Sequence, residues 1–290
     1  MATLMAVHAH PDDEGIQTGG VLALAKQRGV RTVLVTCTNG DMGDSPDGLK
    51  PEAAGHDSAA TVATRLRELR ASCEALGIDH LELLGYRDSG MMGWPQNDDP
   101  TCFWRVSLDE AAGRVGELME RYRPEVVVTY DADGLYGHPD HIQAHRATML
   151  AAERTGIPQK VYEIAFPRSL AEGWAAMRRQ AEADKAAAAA PEATAAPEAS
   201  AETAGDLPPE EPPRPFGTPD ELITTKVDVA SAWAQKRASL FAHQSQLANF
   251  DFLKMDEPLL AVAFGTEHFV RRIDRTGAPV PESDLFAGIV

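Results

Sequence analysis

Five short apolar runs rich in β-branched residues, at positions 4–7, 32–36, 81–84, 126–130 and 161–166, alternate with stretches of helical period. This alternation constrains the fold more than any other feature. The intervening stretches predict helices over 17–28, 61–76, 108–122 and 141–154, with Gly29, Gly77 and Gly156 as C-terminal stops. Strands that are apolar throughout, rather than at alternate residues, have both faces covered. The expected class is therefore α/β, a mostly parallel sheet with helices on both faces.

From about residue 181 to 215 the chain becomes Ala, Pro and Glu with almost no large apolar side chains. Such a composition cannot bury a core, and its prolines interrupt any helix the alanines favour, so a disordered insert is expected. Eight acids against one base, Lys185, between 182 and 213 carry −7 of the chain's net charge of −17. Beyond it, 222–227 reads as a strand and 229–241 as a helix ahead of the polar patch His243-Gln244-Ser245-Gln246. The expected organisation is an α/β core over 1–180, the insert over 181–215, and a segment over 216–290 that completes the same domain.

The charge balance excludes nucleic acid and anionic membrane as partners, because a phosphate backbone is bound through an excess of Lys and Arg. No apolar run approaches the roughly 18 residues of a membrane span, and no secretory signal peptide is expected. Cys37, Cys73 and Cys102 are odd in number, widely spaced and free of CxxC, which fits a reducing compartment, with the cytoplasm as the expected location.

Two strand ends carry nearly the same polar cluster. The first run leads into His8-Ala9-His10-Pro11-Asp12-Asp13-Glu14, and the fourth into Asp133-Gly134-Leu135-Tyr136-Gly137-His138-Pro139-Asp140-His141. Read as structure alone, Asp12 or Asp13 caps a helix and the histidines are turn residues. Ligands of open α/β sheets, however, bind outside the carboxyl ends of strands, and imidazole with carboxylate suits zinc or a similar divalent ion. Not all of these groups can bind one ion, so some must act as base, acid or support.

These residues resemble the N-acetylglucosaminylphosphatidylinositol de-N-acetylase family, also called PIG-L or LmbE-like, whose signatures are AHPDDE near the N-terminus and a downstream HPDH. They stand here as Ala9 to Glu14 and His138 to His141, and the resemblance covers about residues 4–166. It implies a Rossmann-like fold, one Zn2+ per chain, and hydrolytic removal of an acetyl group from an N-acetylglucosamine-type conjugate, as in mycothiol-pathway members. It further implies His10, Asp13 and His141 as zinc ligands, Asp12 as general base, His138 assisting developing charge with Asp140 orienting it, and Tyr136 at the oxyanion. His8 and Glu14 would be supporting residues. Arg65, Glu68, Asp88 and the His243 patch resemble substrate-side segments, and Gln17 stands where the mycothiol enzymes differ among themselves. The insert has no counterpart in the family pattern.

On this reading zinc lowers the pKa of a bound water from about 15.7 to roughly 7 and polarises the carbonyl. Asp12 takes the water's proton, a step worth about 10² to 10⁴ in rate, and is the preferred donor to the leaving amine, with His138 the alternative. An amidase acting on mycothiol S-conjugates would use the same chemistry. A nucleotide-binding module is disfavoured because G-x-G-x-x-G and G-x-x-x-x-G-K-[ST] are both absent, and a non-catalytic zinc protein because both the base and the oxyanion tyrosine are present.

Overall fold

The computed structural model describes residues 1–189 and 216–289. Seven strands form one sheet: β1 (Thr3–His8), β2 (Arg31–Thr38), β3 (His80–Tyr86), β4 (Val126–Thr129), β5 (Lys160–Ala165), β6 (Thr225–Asp228) and β7 (Thr266–Asp274). Their spatial order is β3-β2-β1-β4-β5-β7-β6. The first five run parallel, β7 is antiparallel to β5, and β6 is antiparallel to β7.

Nine helices accompany the sheet among the described residues: α1 (Asp13–Gln17), α2 (Gly19–Gln27), α3 (Ser58–Leu76), α4 (Leu108–Tyr122), α5 (Gly134–Gly137), α6 (Pro139–Thr155), α7 (Arg168–Ala189), α8 (Trp233–Ala242) and α9 (Glu257–Phe264). One group packs α4 along α6, the other packs α8 on α2 and α3. Every residue of β1, β4 and β5 is buried, as expected of strands apolar throughout. At the sheet edge β3 departs from that pattern and leaves Leu83 exposed. None of the helices among the described residues is long and apolar enough to cross a membrane.

Several boundaries differ from the sequence reading. The first helix begins at Asp13 rather than at 17, and breaks at Thr18, whose hydroxyl oxygen lies 2.8 Å from His8 Nε2. Pro139 opens α6 at its first position, where its missing N–H costs nothing, so His138 rather than a residue of the helix is the N-cap. The alanine run carries α7 on to Ala189, short of Pro191. The rest of the expected insert lies outside the described residues. The strand β7 was not anticipated, because Glu267, His268, Arg271, Arg272 and Asp274 interrupt its apolar residues.

The chain steps outward through β2 and β3 on one side of β1, then returns to place β4 and β5 on the other. The order reverses between β1 and β4, and at such a switch point the loops leaving the two strands diverge and open a crevice.

Glu282, almost wholly buried, fastens the C-terminal segment to this sheet. It pairs with Lys160 on β5, accepts from Tyr162 Oη at 2.9 Å and Thr225 Oγ1 at 3.0 Å, and meets Arg271 Nη1 at 2.7 Å. Glu282→Ala leaves the buried Lys160 without its counter-charge and is expected to destabilise the fold by about 3–5 kcal/mol. Urea unfolding of the full chain measures this.

Candidate metal and catalytic site

The loop after β1 carries His10, Pro11, Asp12 and Asp13 directly into α1, and the loop after β4 passes Tyr130 and the α5 turn to reach His138 and His141. Because β1 and β4 are neighbours, in register from Leu4–Val126 to Ala6–Val128, both polar clusters open into one crevice.

Three groups converge there. His10 Nδ1 lies 3.3 Å from His141 Nε2 and 3.3 Å from Asp13 Oδ2, and His141 Nε2 lies 3.5 Å from Asp13 Oδ1. Tetrahedral ligands with bonds of about 2.0–2.1 Å stand roughly 3.3–3.4 Å apart, and these separations are of that order. All three side chains are buried. His138 is also close, offering a ligand atom within 4.8 Å of those of His10 and His141.

Hydrogen bonding separates His138 from the other three. Its Nδ1 accepts the Asp140 backbone N–H at 3.2 Å, so the neutral ring carries its proton on Nε2, which makes that nitrogen a donor rather than a ligand. Burial, reinforced by repulsion from His10 and His141, pushes the His138 pKa down to about 2. Asp140 thus meets this ring through its backbone N–H and not through its carboxylate. The Asp140 carboxylate instead lies 3.3 Å from His10 Nε2 and accepts from the Ser89 N–H and hydroxyl. Asp88 Oδ1 stands 3.6 Å from the same His10 nitrogen. Carboxylates behind a ligand imidazole fix its tautomer and orientation. Although burial alone would lower it, Asp88, Asp13 and Asp140 together raise the His10 pKa well above that of free imidazole.

Asp12 faces the crevice with φ of 131°, a conformation that non-glycine residues rarely adopt and that costs about 1–3 kcal/mol. Its Oδ2 accepts from Arg65 Nη2 at 2.9 Å. Arg65, itself buried, also donates to Gly40 O and Pro11 O, tying the exits of β1 and β2 together. A Cβ on Gly40 would come within 2.5 Å of that guanidinium, so the close approach requires glycine. Burial pushes the Asp12 pKa up to about 6, against the attraction of Arg65.

A cavity of about 640 Å3 opens over these groups, lined by His10, Asp12, Asp13, Gln17, Tyr136 and His138. Arg65 and Asp88 also reach its wall, but both are already engaged, Arg65 with Asp12 and two carbonyls, Asp88 with Gly90 N–H and His10. Tyr136 is half exposed, its ring centroid 5.1 Å from that of His141. Past Ile164 the cavity continues to an aromatic wall that includes Phe166, Trp174, Phe252 and Phe264.

Two expected substrate contacts lie elsewhere. Glu68 turns to the loop after α8 and accepts from Ser245 N–H at 2.8 Å and Ser245 Oγ at 2.7 Å. His243 is buried against Glu14, with 2.6 Å between Nε2 and Oε1, and does not line the cavity. Neither placement could be read from sequence, because each partner lies more than a hundred residues away. Sequence reasoning also missed Tyr130. The Tyr130 hydroxyl accepts Ala9 N–H at 2.7 Å and donates to Asp13 Oδ2 at 2.7 Å, holding that carboxylate toward His141. Only its place as the last residue of the fourth apolar run hinted at this.

Comparison with known proteins bears on this site. The PIG-L family profile, described as GlcNAc-PI de-N-acetylase, matches residues 5–152. A 1D-myo-inositol 2-acetamido-2-deoxy-alpha-D-glucopyranoside deacetylase from Acidothermus cellulolyticus is 40% identical over 300 residues, spanning 99% of this chain and 95% of that protein. Among solved structures, N,N'-diacetylchitobiose deacetylase from Pyrococcus horikoshii superposes with a TM-score of 0.56 at 17% identity, covering 93% of this chain and 83% of that one. GalB, the 4-carboxy-2-hydroxymuconate hydratase of Pseudomonas putida KT2440, does so equally well, with a TM-score of 0.56 at 17% identity over 96% of this chain and 99% of that one, so the shared fold does not by itself select a reaction. Fold, site and close relatives together define a hydrolase acting on an amide bond. The chain belongs to the GlcNAc-PI de-N-acetylase, or PIG-L, family.

Tyr130→Phe deletes the hydroxyl that links Ala9 N–H to Asp13. Loss of such a support is expected to weaken divalent-metal affinity by about 10- to 100-fold, measurable by competition with a chromogenic chelator.

Proposed function

We propose that this protein is a zinc-dependent N-deacetylase that hydrolyses the acetamide of a 2-acetamido-2-deoxyglucose conjugate, a small glycoside of the kind for which its relatives are named. The observation that carries this reading is the place of Asp12, a half-buried carboxylate with raised proton affinity at the cavity wall beside the converging His10, Asp13 and His141. Those three residues would hold the ion, two imidazoles and one carboxylate being a donor set suited to zinc with a coordination position left open. When bound, zinc supplies Lewis acidity toward the attacking water and the amide carbonyl.

Asp12 takes the proton of the attacking water. A carboxylate that titrates at about 6 can both accept this proton and return it, so the same group protonates the departing sugar amine. As the carbonyl oxygen gains charge, the neutral His138 donates from Nε2 and the Tyr136 hydroxyl adds a second hydrogen bond; one such donor is typically worth about 3 kcal/mol. Gln17, half-buried on the cavity wall, presents its amide to the sugar hydroxyls. The free, buried Cys37, Cys73 and Cys102 support a cytoplasmic location. A second reading, hydrolysis of a larger acyl group as in mycothiol S-conjugates, is favoured by the aromatic wall beyond Ile164. Comparing kcat/KM for the two amides on one enzyme preparation decides between them.

Asp12→Ala is expected to retain zinc and lose about 10² to 10⁴ in turnover. His141→Ala is expected to lose the metal itself. Metal analysis paired with release of free amine from an N-acetylglucosaminyl glycoside tests both, and a zinc-replete, active His141→Ala enzyme refutes the ligand assignment. Chelation abolishes amine release in the wild type, and added zinc restores it.

A further inference from the structure

We propose that Glu14 and His243 are positioning residues for Asp12, a buried acid–imidazole pair that holds the backbone of the base in its left-handed conformation. The proposal rests on the reading of Asp12 as the base. Glu14 is fully buried and reaches no substrate, yet its carboxylate is engaged by three separate parts of the chain. Glu14 Oε2 accepts the Asp12 backbone N–H at 3.0 Å. Glu14 Oε1 meets His243 Nε2 at 2.6 Å and accepts from the Ser72 hydroxyl on α3. The Ser72 hydroxyl in turn lies 2.6 Å from the Ser239 hydroxyl on α8.

Asp12 is the N-cap of α1, and an aspartate there ordinarily folds its side chain back to accept from its own helix. In the reciprocal arrangement a glutamate in the first turn accepts the N-cap N–H while the N-cap side chain bonds forward. Here Glu14, the second residue of the helix, accepts the N-cap N–H, and the forward bond is missing. Asp12 makes no side-chain cap hydrogen bond; its carboxylate points instead to Arg65 and the cavity. The strained backbone, φ 131° and ψ −27°, turns that carboxylate outward, and the bond to Glu14 keeps its N–H satisfied there.

His243 completes the clamp from 229 positions away. It is 1% exposed, and its Nε2 fixes the Glu14 oxygen that does not serve Asp12. The approach of α8 to α1 is close: a Cβ on Gly15 would lie 2.9 Å from Ser239 Oγ. The segment that follows the Ala/Pro/Glu stretch thus reaches behind the base without entering the cavity, and sets its direction rather than touching substrate.

Zinc-loaded, full-length His243→Ala and His243→Gln variants test this. Glutamine keeps an N–H donor at about the position of the imidazole Nε2. Misplacing a catalytic group by about 1 Å costs on the order of 10²-fold, so kcat of His243→Ala is expected to fall about 10- to 100-fold while KM and bound zinc stay within about twofold of wild type. His243→Gln is expected to recover kcat to within about threefold. Should the alanine variant not fold, His243→Asn, too short to reach Glu14, takes its place. Crystal structures give a readout independent of substrate: φ of Asp12 leaves the positive region and its contact with Arg65 is lost in the alanine or asparagine variant, and both are kept in the glutamine variant. Wild-type kcat with unchanged Asp12 geometry in His243→Ala overturns the proposal, as does zinc loss that His243→Gln does not repair. If the wild-type enzyme releases no amine from the amino sugar, the deacetylase reading fails and the clamp is decided by the Asp12 geometry alone.

Discussion

The pairing of β1 with β4 is the constraint from which the site follows. These strands are consecutive in the sheet but separated by some 120 residues of chain, and their parallel register sends both exits to the same edge. Had β4 added beyond β3, the HPDD and HPDH segments would lie at opposite sides of the sheet. At the reversal between β1 and β4, His10 and His141 are instead brought to within 3.3 Å.

Around this pair the protein gathers more buried negative charge than its interior can hold without compensation. Asp13, Asp88 and Asp140 all approach His10, and Asp12 leans on Arg65. Buried charges persist only when paired, hydrogen-bonded or coordinated to a metal. Tyr130, Ser89 and the backbone N–H groups of His10 and Gly90 answer part of the demand, and the divalent cation proposed at His10, Asp13 and His141 would answer the rest. Burial, with repulsion from His10 and His141, presses the His138 pKa down, while burial raises that of Asp12.

The layered α/β architecture and the two strand-end clusters were legible because their signals are local: apolar runs of one period, then polar residues at fixed offsets. His10, Asp12, Asp13, Tyr136, His138 and His141 do share one crevice. The strand β7 escaped notice because charged side chains interrupt its apolar pattern. Asp88 and Asp140 were legible as acids near the site, but not as the pair that holds His10, and His243 was legible as polar but not as the partner of Glu14. A residue's type limits which bonds it can make, whereas the partner depends on where distant segments pack.

By itself, therefore, the sequence determined the class of fold, the chemistry of the donors and their spacing along each loop, all of which depend on neighbours within a turn or two. Only the tertiary structure decided which carboxylate faces the cavity and which stands behind an imidazole. Those choices are made by contacts such as Glu14 with His243 and Tyr130 with Asp13, formed between segments more than a hundred residues apart. No local periodicity encodes them, because the geometry that selects one partner over another exists only once the sheet has closed.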